Sequence, residues 1–143
     1  MDENVRRALQ SGLYIVEKNL NRIRNTLQHA EEASVLYSTK DDIEPELKGM
    51  LLAIMFSMVE VIKLLKGTFD LQAQQETTRR HVCSYLFENW KILHECKPKR
   101  LRGYGELGMQ ERELLDHHID KLLAMNGQLQ ATLLTKSANA PRP

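Results

Sequence analysis

The fold is decided by residues 9–30, LQSGLYIVEKNLNRIRNTLQHA, in which apolar side chains recur at alternating steps of four and three residues. A repeat that averages about 3.5 residues keeps one stripe of a helix turned toward a partner helix over its whole length. The pattern predicts a long first helix from about residue 3 to residue 37, with Asp2 as its N-cap. The members of this heptad seam are Leu9, Leu13, Val16, Leu20, Ile23, Leu27 and Ala30.

A second helix is predicted over Leu47–Lys66, shortly after Pro45. Proline suits the first turn of a helix, and the acidic residues around it suit the positive end of the helix dipole. Gly67 follows as the predicted C-terminal cap. Only three side chains of Met50–Leu65 are polar, so this helix is apolar on nearly every face, as expected for a helix at the centre of a bundle.

The rest of the chain predicts two further helices separated by a basic loop. We predict one helix from about residue 69 to residue 96, ended by Pro98. The polar run before Thr77 leaves a second interpretation open, a shorter helix that begins at Thr77 or Thr78. The last helix is predicted from about Gln110 to Thr135, and the polar tail, residues 136–143, is predicted to be disordered. The residues of the last helix predicted to point inward are Leu115, Ile119, Leu122, Met125, Leu129 and Leu133.

Four helices with short connections predict an all-α fold, an antiparallel helical bundle that forms a single domain over residues 1–135. The uninterrupted seam and the apolar second helix provide more apolar surface than a small monomer usually needs. We therefore predict a homodimer with coiled-coil packing along the first helix. The predicted interface residues are Leu13, Val16, Leu20, Ile23 and Leu27.

The composition argues against several classes of protein. A chain of 143 residues is about one domain, and its net charge of +1 does not indicate a nucleic acid or an anionic membrane as a general partner. It contains no apolar run of about 18 residues, the length of a membrane-spanning helix. Two cysteines are too few for a disulfide framework, so we expect a cytoplasmic protein.

The residue types that bind soft metals form two His-x-Cys pairs, His81 with Cys83 and His94 with Cys96. A zinc site needs four such ligands to converge. On one helix the two pairs would lie about 20 Å apart, and residues two positions apart point in different directions. We therefore expect no metal and no disulfide between the cysteines. The phosphate-binding, dinucleotide-binding and nucleophile motifs are absent as well, so we expect no cofactor and no enzymatic activity.

The stretch Arg24-Asn25-Thr26-Leu27-Gln28-His29 is similar to the Arg-Asn-x-x-x-His signature of the HEPN family of small helical ribonucleases and toxins. The resemblance covers six residues and implies a metal-independent RNA cleavage site, with Arg24 and His29 shared across a dimer. The stretch Arg112–His117 repeats the spacing from arginine to histidine without the asparagine.

A basic loop precedes the last helix. Lys97, Lys99, Arg100 and Arg102 place four positive charges within six residues, and Tyr104 adds an aromatic ring suited to stacking. Such a loop is a candidate contact for phosphate oxygens of RNA or DNA, or for an acidic protein.

We interpret the chain as a small, non-enzymatic accessory or regulatory protein of the cytoplasm. It is expected to bind a protein partner through a helical face and to form a homodimer. The alternative is a HEPN-like ribonuclease or toxin that uses Arg24 and His29, or an RNA-binding protein that uses the basic loop, residues 97–102. The sequence does not name the protein partner.

Overall fold

The computed structural model describes residues 1–138, and the predicted all-α fold is confirmed. The described part of the chain forms two compact units, one over Met1–Gln74 and one that begins at Gln75. None of its helices is both long enough and apolar enough to cross a membrane. The predicted single domain over residues 1–135 stays a prediction. The described elements are α1 (Glu3–Gln28), β1 (Glu32–Ala33), β2 (Ser38–Thr39), α2 (Pro45–Phe69), α3 (Thr78–Glu95), α4 (Pro98–Leu101) and α5 (Met109–Ala138).

Helix α1 begins as predicted and ends earlier than predicted. The Asp2 carboxylate accepts a hydrogen bond from the backbone N–H of Asn4 at 2.8 Å, which caps the helix start. The helix stops at Gln28, well before the predicted end at residue 37. Two glutamates follow at residues 31 and 32, where continued helix would bring negative charge close to the negative end of its dipole. The predicted extension to residue 37 is therefore wrong.

A short β-ribbon takes the place of that extension. Strands β1 and β2 pair antiparallel, and the Ser34 N–H donates to the Tyr37 carbonyl at 2.8 Å to close the turn between them. The Tyr37 hydroxyl donates to the Glu32 carboxylate at 3.0 Å, and this bond raises the pKa of Tyr37. At the tip of the ribbon, the side chains of Val35 and Leu36 are almost fully exposed.

Helix α2 begins at Pro45, slightly before the predicted start at Leu47, and continues past the predicted cap at Gly67. The cap is instead Asp70, whose φ of 52° lies in the left-handed region that ends many helices. The Leu71 N–H then donates to the Lys66 carbonyl at 3.0 Å. Leu71 is buried, which is the apolar contact that often accompanies this type of helix end.

Helices α1 and α2 pack as an antiparallel hairpin, the N-terminal hairpin. The Gln72 N–H, just beyond the end of α2, donates to the Gln10 side chain near the start of α1 at 2.7 Å. Leu20 and Leu27 of α1 are buried in this hairpin. The stripe of α2 that shares their burial is half-buried and consists of Leu51, Leu52, Met55, Val59, Ile62, Leu65 and Phe69.

The prediction of one helix from about residue 69 to residue 96 is wrong, and the shorter alternative is confirmed. Residues 71–77 are not helical, and α3 begins at Thr78. The Thr77 hydroxyl accepts a hydrogen bond from the Arg80 N–H at 3.2 Å, as a helix N-cap does. The glutamine-rich run before it offers no apolar stripe that could stabilise a helix by packing.

Helices α3 and α5 form a second antiparallel pair. Asn126 of α5 bonds to Leu86 of α3, while Lys97, just after α3, bonds to Asp116 and Asp120 of α5. The predicted basic loop contains a single helical turn, α4.

The predicted inward stripe of α5 is partly wrong. Ile119 is buried, but Leu122, Met125 and Leu129 are exposed, and the buried position in that part of the helix belongs to Asn126. Helix α5 also continues to Ala138, through the first three residues of the predicted tail. Residues 139–143 of that tail lie outside the described part of the chain.

Candidate functional site

The structure divides the predicted dimer seam into two sets. Leu20 and Leu27 are buried against α2 of the same chain, and Leu13 is half-buried beside them. Val16 and Ile23 remain exposed, at 38% and 46% of their surface. A seam of alternating steps covers two neighbouring rows of a helix surface. One of these rows packs within the N-terminal hairpin, and the other remains available to a partner.

Helix α2 presents a second apolar stripe. None of its 25 residues is buried, because only one side of the helix contacts α1. At about 100° of rotation per residue, the second stripe is centred about 100° away from the stripe that faces α1. Its members are 41% to 66% exposed, and they are Leu47, Met50, Ile54, Met58, Val61 and Leu64.

The exposed stripes of α1 and α2 lie on the same side of the hairpin. On each helix, the exposed stripe is rotated about the helix axis away from the stripe that contacts the other helix. The rotation is about 60° on α1 and about 100° on α2, and on both helices its sense is opposite to that in which the chain winds from N- to C-terminus. Because the two helices run in opposite directions, rotations of the same sign bring both stripes to one side. We call this surface the hairpin face. Its α1 members are Val5, Val16 and Ile23, and its α2 members are the six residues of the second stripe.

A partner could cover the α2 side of the hairpin face without leaving a hydroxyl group there that lacks a hydrogen bond. Two hydroxyl residues lie on this side of α2, and both donate to backbone carbonyls of their own helix. Ser57 bonds to Ala53 at 3.2 Å, and Thr68 bonds to Leu64 at 2.8 Å. A hydroxyl that is satisfied in this way loses little when a partner covers it. The α2 stripe from Leu47 to Leu64 contains no charged side chain.

The two residues of the HEPN-like stretch lie at the end of α1. Arg24 donates to the side chain of Asn21 at 3.0 Å. His29 is the C-cap residue, whose backbone N–H donates to the Asn25 carbonyl at 3.0 Å. Both side chains are exposed. These contacts are those of a helix surface and a helix end, and the catalytic alternative stays a prediction.

The basic loop separates into one structural lysine and three outward cations. Lys97 bonds to two aspartates of α5, which raises the pKa of Lys97. Arg100 lies 3.9 Å from Glu95, with both side chains about two-thirds exposed, and such a pair contributes little. Lys99 and Arg102 make no ion pair within residues 1–138. Tyr104 is 91% exposed.

The four candidate metal ligands lie in separate environments. The Nε2 atom of His81 lies 2.8 Å from the Glu76 carboxylate, and the ring of His94 meets Trp90 edge-on at 4.4 Å between centroids. Both cysteines are half-buried free thiols. Within residues 1–138, no three histidine, cysteine or acidic side chains form a group that could hold a metal ion.

Sequence reasoning missed the α2 half of the hairpin face, although its signal was present. The sequence shows that α2 has apolar residues on nearly every face, and this pattern predicts a helix at the centre of a bundle. The apolar residues instead form two stripes, of which one is exposed. The sequence does not predict the exposure of Phe87 and Trp90 either, because a spacing of three residues is equally typical of a buried stripe.

Neither a protein-family model, nor a curated protein, nor a solved structure matches this chain.

Proposed function

We propose that this protein is a non-enzymatic binding protein that forms a homodimer through the hairpin face and serves as a small accessory or regulatory protein. The observation that supports this proposal is helix α2, which has no buried residue and six large exposed apolar side chains in one stripe. A contiguous apolar surface of this kind marks an interaction site. The free thiols of its two cysteines fit a cytoplasmic location.

The size of the hairpin face fits a specific interface. The exposed fractions of its nine side chains correspond to roughly 800 Å², which is about the area that each partner contributes to a standard protein–protein interface. The centre of the face is apolar and free of charge, as the buried centre of a homodimer interface is. The two methionines of the stripe, Met50 and Met58, are flexible enough to fill irregular gaps.

A second copy of the chain is the occupant that best matches this face. A two-fold axis would place the same surface on both subunits, so length, charge and apolar content match automatically. The α2 stripe spans about 25 Å from Leu47 to Leu64 at 1.5 Å per residue. Two hairpins joined in this way form a four-helix bundle, the arrangement that buries such stripes on all four helices.

The proposal is tested by the mass of the full-length chain in solution. Light scattering is expected to give about 33 kDa, twice the 16.5 kDa of one chain, at micromolar concentration. A charge placed in the face, Ile54→Glu, is expected to yield a folded 16.5 kDa monomer with unchanged helical circular dichroism. Phe56→Glu is the matched control, because Phe56 is 67% exposed on the same helix but lies outside the face.

Three results would contradict a homodimer formed through the hairpin face. One is a mass of 16.5 kDa at every concentration for the unchanged chain. Another is equal dissociation by Ile54→Glu and Phe56→Glu while both variants keep their helical circular dichroism, which would show that the interface does not lie on the hairpin face. If Met50 and Met58 resist oxidation in a 16.5 kDa particle, the face is covered by another segment of the same chain, and the proposal fails.

A further inference from the structure

An open groove lies in the C-terminal unit, where the last turns of α3 meet α4 and the segment after it. Its volume is about 1360 Å³. Rings of α3 and cations of α4 and the segment after it both line the groove, and we call the two sets the aromatic wall and the basic wall. The rings and cations that line it include Trp90, His94, Lys99, Arg100, Arg102 and Tyr104.

The aromatic wall is a row of rings along one side of α3. Trp90 and His94 line the groove, and Phe87 supports Trp90 from outside it. The three residues follow at helical steps of three and four, so they share a side of the helix. The rings of Phe87 and Trp90 are nearly parallel, at 8° and 6.1 Å, and His94 meets Trp90 edge-on. The neighbours hold the indole of Trp90 in place while 49% of its surface stays exposed. A fixed, exposed ring is a surface on which a second flat group can stack.

Most cations of the basic wall are not neutralised by acidic side chains of the described part of the chain. Lys97 is occupied by its two aspartates, whereas Lys99 and Arg102 have no ion pair within residues 1–138. Arg100 has only the long, exposed pair with Glu95. A second acid, Glu88, also lines the groove, as does a further cation, Lys91. The groove therefore has an excess of cations, and Tyr104 stands beside them with 91% of its surface exposed.

We infer that this groove binds single-stranded nucleic acid. The bases stack on Trp90 and Tyr104, and the phosphates contact Lys99, Arg100 and Arg102. Exposed rings next to a basic track are the combination that holds unpaired strands without sequence preference. An acidic polypeptide would satisfy the cations but leave both rings without a stacking partner, and a duplex would hide the faces of its bases. The inference does not depend on the homodimer, because every residue it uses lies in the C-terminal unit.

The chain contains its own probe for this inference. Trp90 is the only tryptophan, so stacking of a base on it should quench the intrinsic fluorescence directly. We expect quenching on titration of the full-length protein with an oligothymidylate of about ten nucleotides. Three phosphate contacts predict a salt slope of about −2, hence an affinity loss of roughly 20-fold between 50 and 200 mM salt.

Charge and ring variants separate a specific groove from general attraction. The triple change Lys99→Gln, Arg100→Gln and Arg102→Gln should weaken binding of a labelled strand at least tenfold and reduce the salt slope toward zero. Trp90→Ala should weaken it at least fivefold. The matched control removes three exposed cations from the N-terminal unit, by changing Arg22, Lys40 and Lys66 to Gln, and should leave the affinity unchanged.

Several outcomes would overturn the inference. One is the absence of fluorescence quenching at 50 mM salt with about 100 µM strand, a concentration at which even non-specific binding is usually detected. Another is an equal loss of affinity in the two triple variants. A duplex of the same length that binds as tightly, or polyglutamate that does so, would show that stacking plays no part. Circular dichroism of each variant must match the unchanged protein, and a variant that fails this condition is replaced by its single changes.

Discussion

The side-chain amide of Asn126 donates a hydrogen bond to the backbone carbonyl of Leu86 across 2.9 Å, and thereby joins α5 to α3 over forty positions of the chain. Asn126 is 6% exposed and is the one buried polar residue in the described part of the chain. A single buried asparagine in an apolar stripe can fix which residues of two helices lie opposite each other. Asn126 therefore helps to fix the register of the second helical pair, together with Lys97 and its two aspartates.

The first prediction concerns that amide. Asn126→Ala removes the hydrogen bond and leaves a small cavity, so the free energy of unfolding should fall by about 1–2 kcal/mol. The change is measured by urea unfolding of the full-length chain. Gln128→Ala, at an exposed position of the same helix, is the control and should alter stability by no more than about 0.5 kcal/mol. Equal stability of the two variants would show that the buried amide contributes nothing.

The second prediction concerns the loop between the β-ribbon and α2. The Asp41 carboxylate accepts hydrogen bonds from the Lys48 ammonium group and from the Ile43 N–H, and these bonds hold the pKa of Asp41 below its usual value. A folded-state pKa that is lowered contributes stability above the unfolded pKa, near 3.9, and this contribution is lost as the pH falls through the folded value.

Asp41→Asn should therefore lower the melting temperature at pH 7, and the difference from the unchanged protein should shrink as the pH falls below about 4. Thermal melts across this range provide the measurement. Asp42→Asn is the control, because Asp42 is exposed and makes no ion pair with a side chain of residues 1–135. A difference that persists at about pH 2 would show that the carboxylate charge is not the cause.

Part of the fold could be predicted because periodicity reports which residues pack. The heptad seam located α1, and Asp2 and Pro45 located two helix starts. The end of α1 could not be predicted in this way, since it depends on a β-ribbon of two-residue strands and on the bond between Tyr37 and Glu32. The predicted inner stripe of α5 is partly wrong because a pattern of apolar residues does not include the polar Asn126, which is buried.

The candidate site was only half predictable for a related reason. The sequence shows that α2 has apolar residues on nearly all sides, but two equally apolar stripes do not reveal which one faces α1. Only the packing of the hairpin separates Met55, which is half-buried beside α1, from Ile54, which is 59% exposed. The same packing separates Leu20 from Val16 within the heptad seam.

The third prediction uses that separation. Leu20 is 7% exposed inside the hairpin, so Leu20→Ala should cost about 2–5 kcal/mol at every protein concentration. Val16 lies on the hairpin face, so Val16→Ala should leave the folded monomer intact and weaken only the dimer. Urea unfolding at two protein concentrations distinguishes the variants, because only dimer stability depends on concentration. A concentration dependence that Val16→Ala does not change would exclude Val16 from the interface.

The last prediction sets the binding function against the ribonuclease alternative. Arg24 and His29 are exposed, and their contacts are local to the C-terminal part of α1 and its C-cap. Changing either residue to Ala should therefore alter the free energy of unfolding by no more than about 0.5 kcal/mol and leave the dimer intact. Neither the unchanged protein nor the variants should degrade total cellular RNA without added metal.

If the pair instead cleaves RNA, the unchanged protein will degrade the sample and His29→Ala will not. A positioned acid or base typically contributes about 10²–10⁴-fold in rate, so the loss would be evident on a gel. Lys99→Gln is the useful companion variant, because it affects the groove and leaves the end of α1 untouched. Cleavage that His29→Ala abolishes and Lys99→Gln preserves would replace the binding function with a catalytic one at the end of α1.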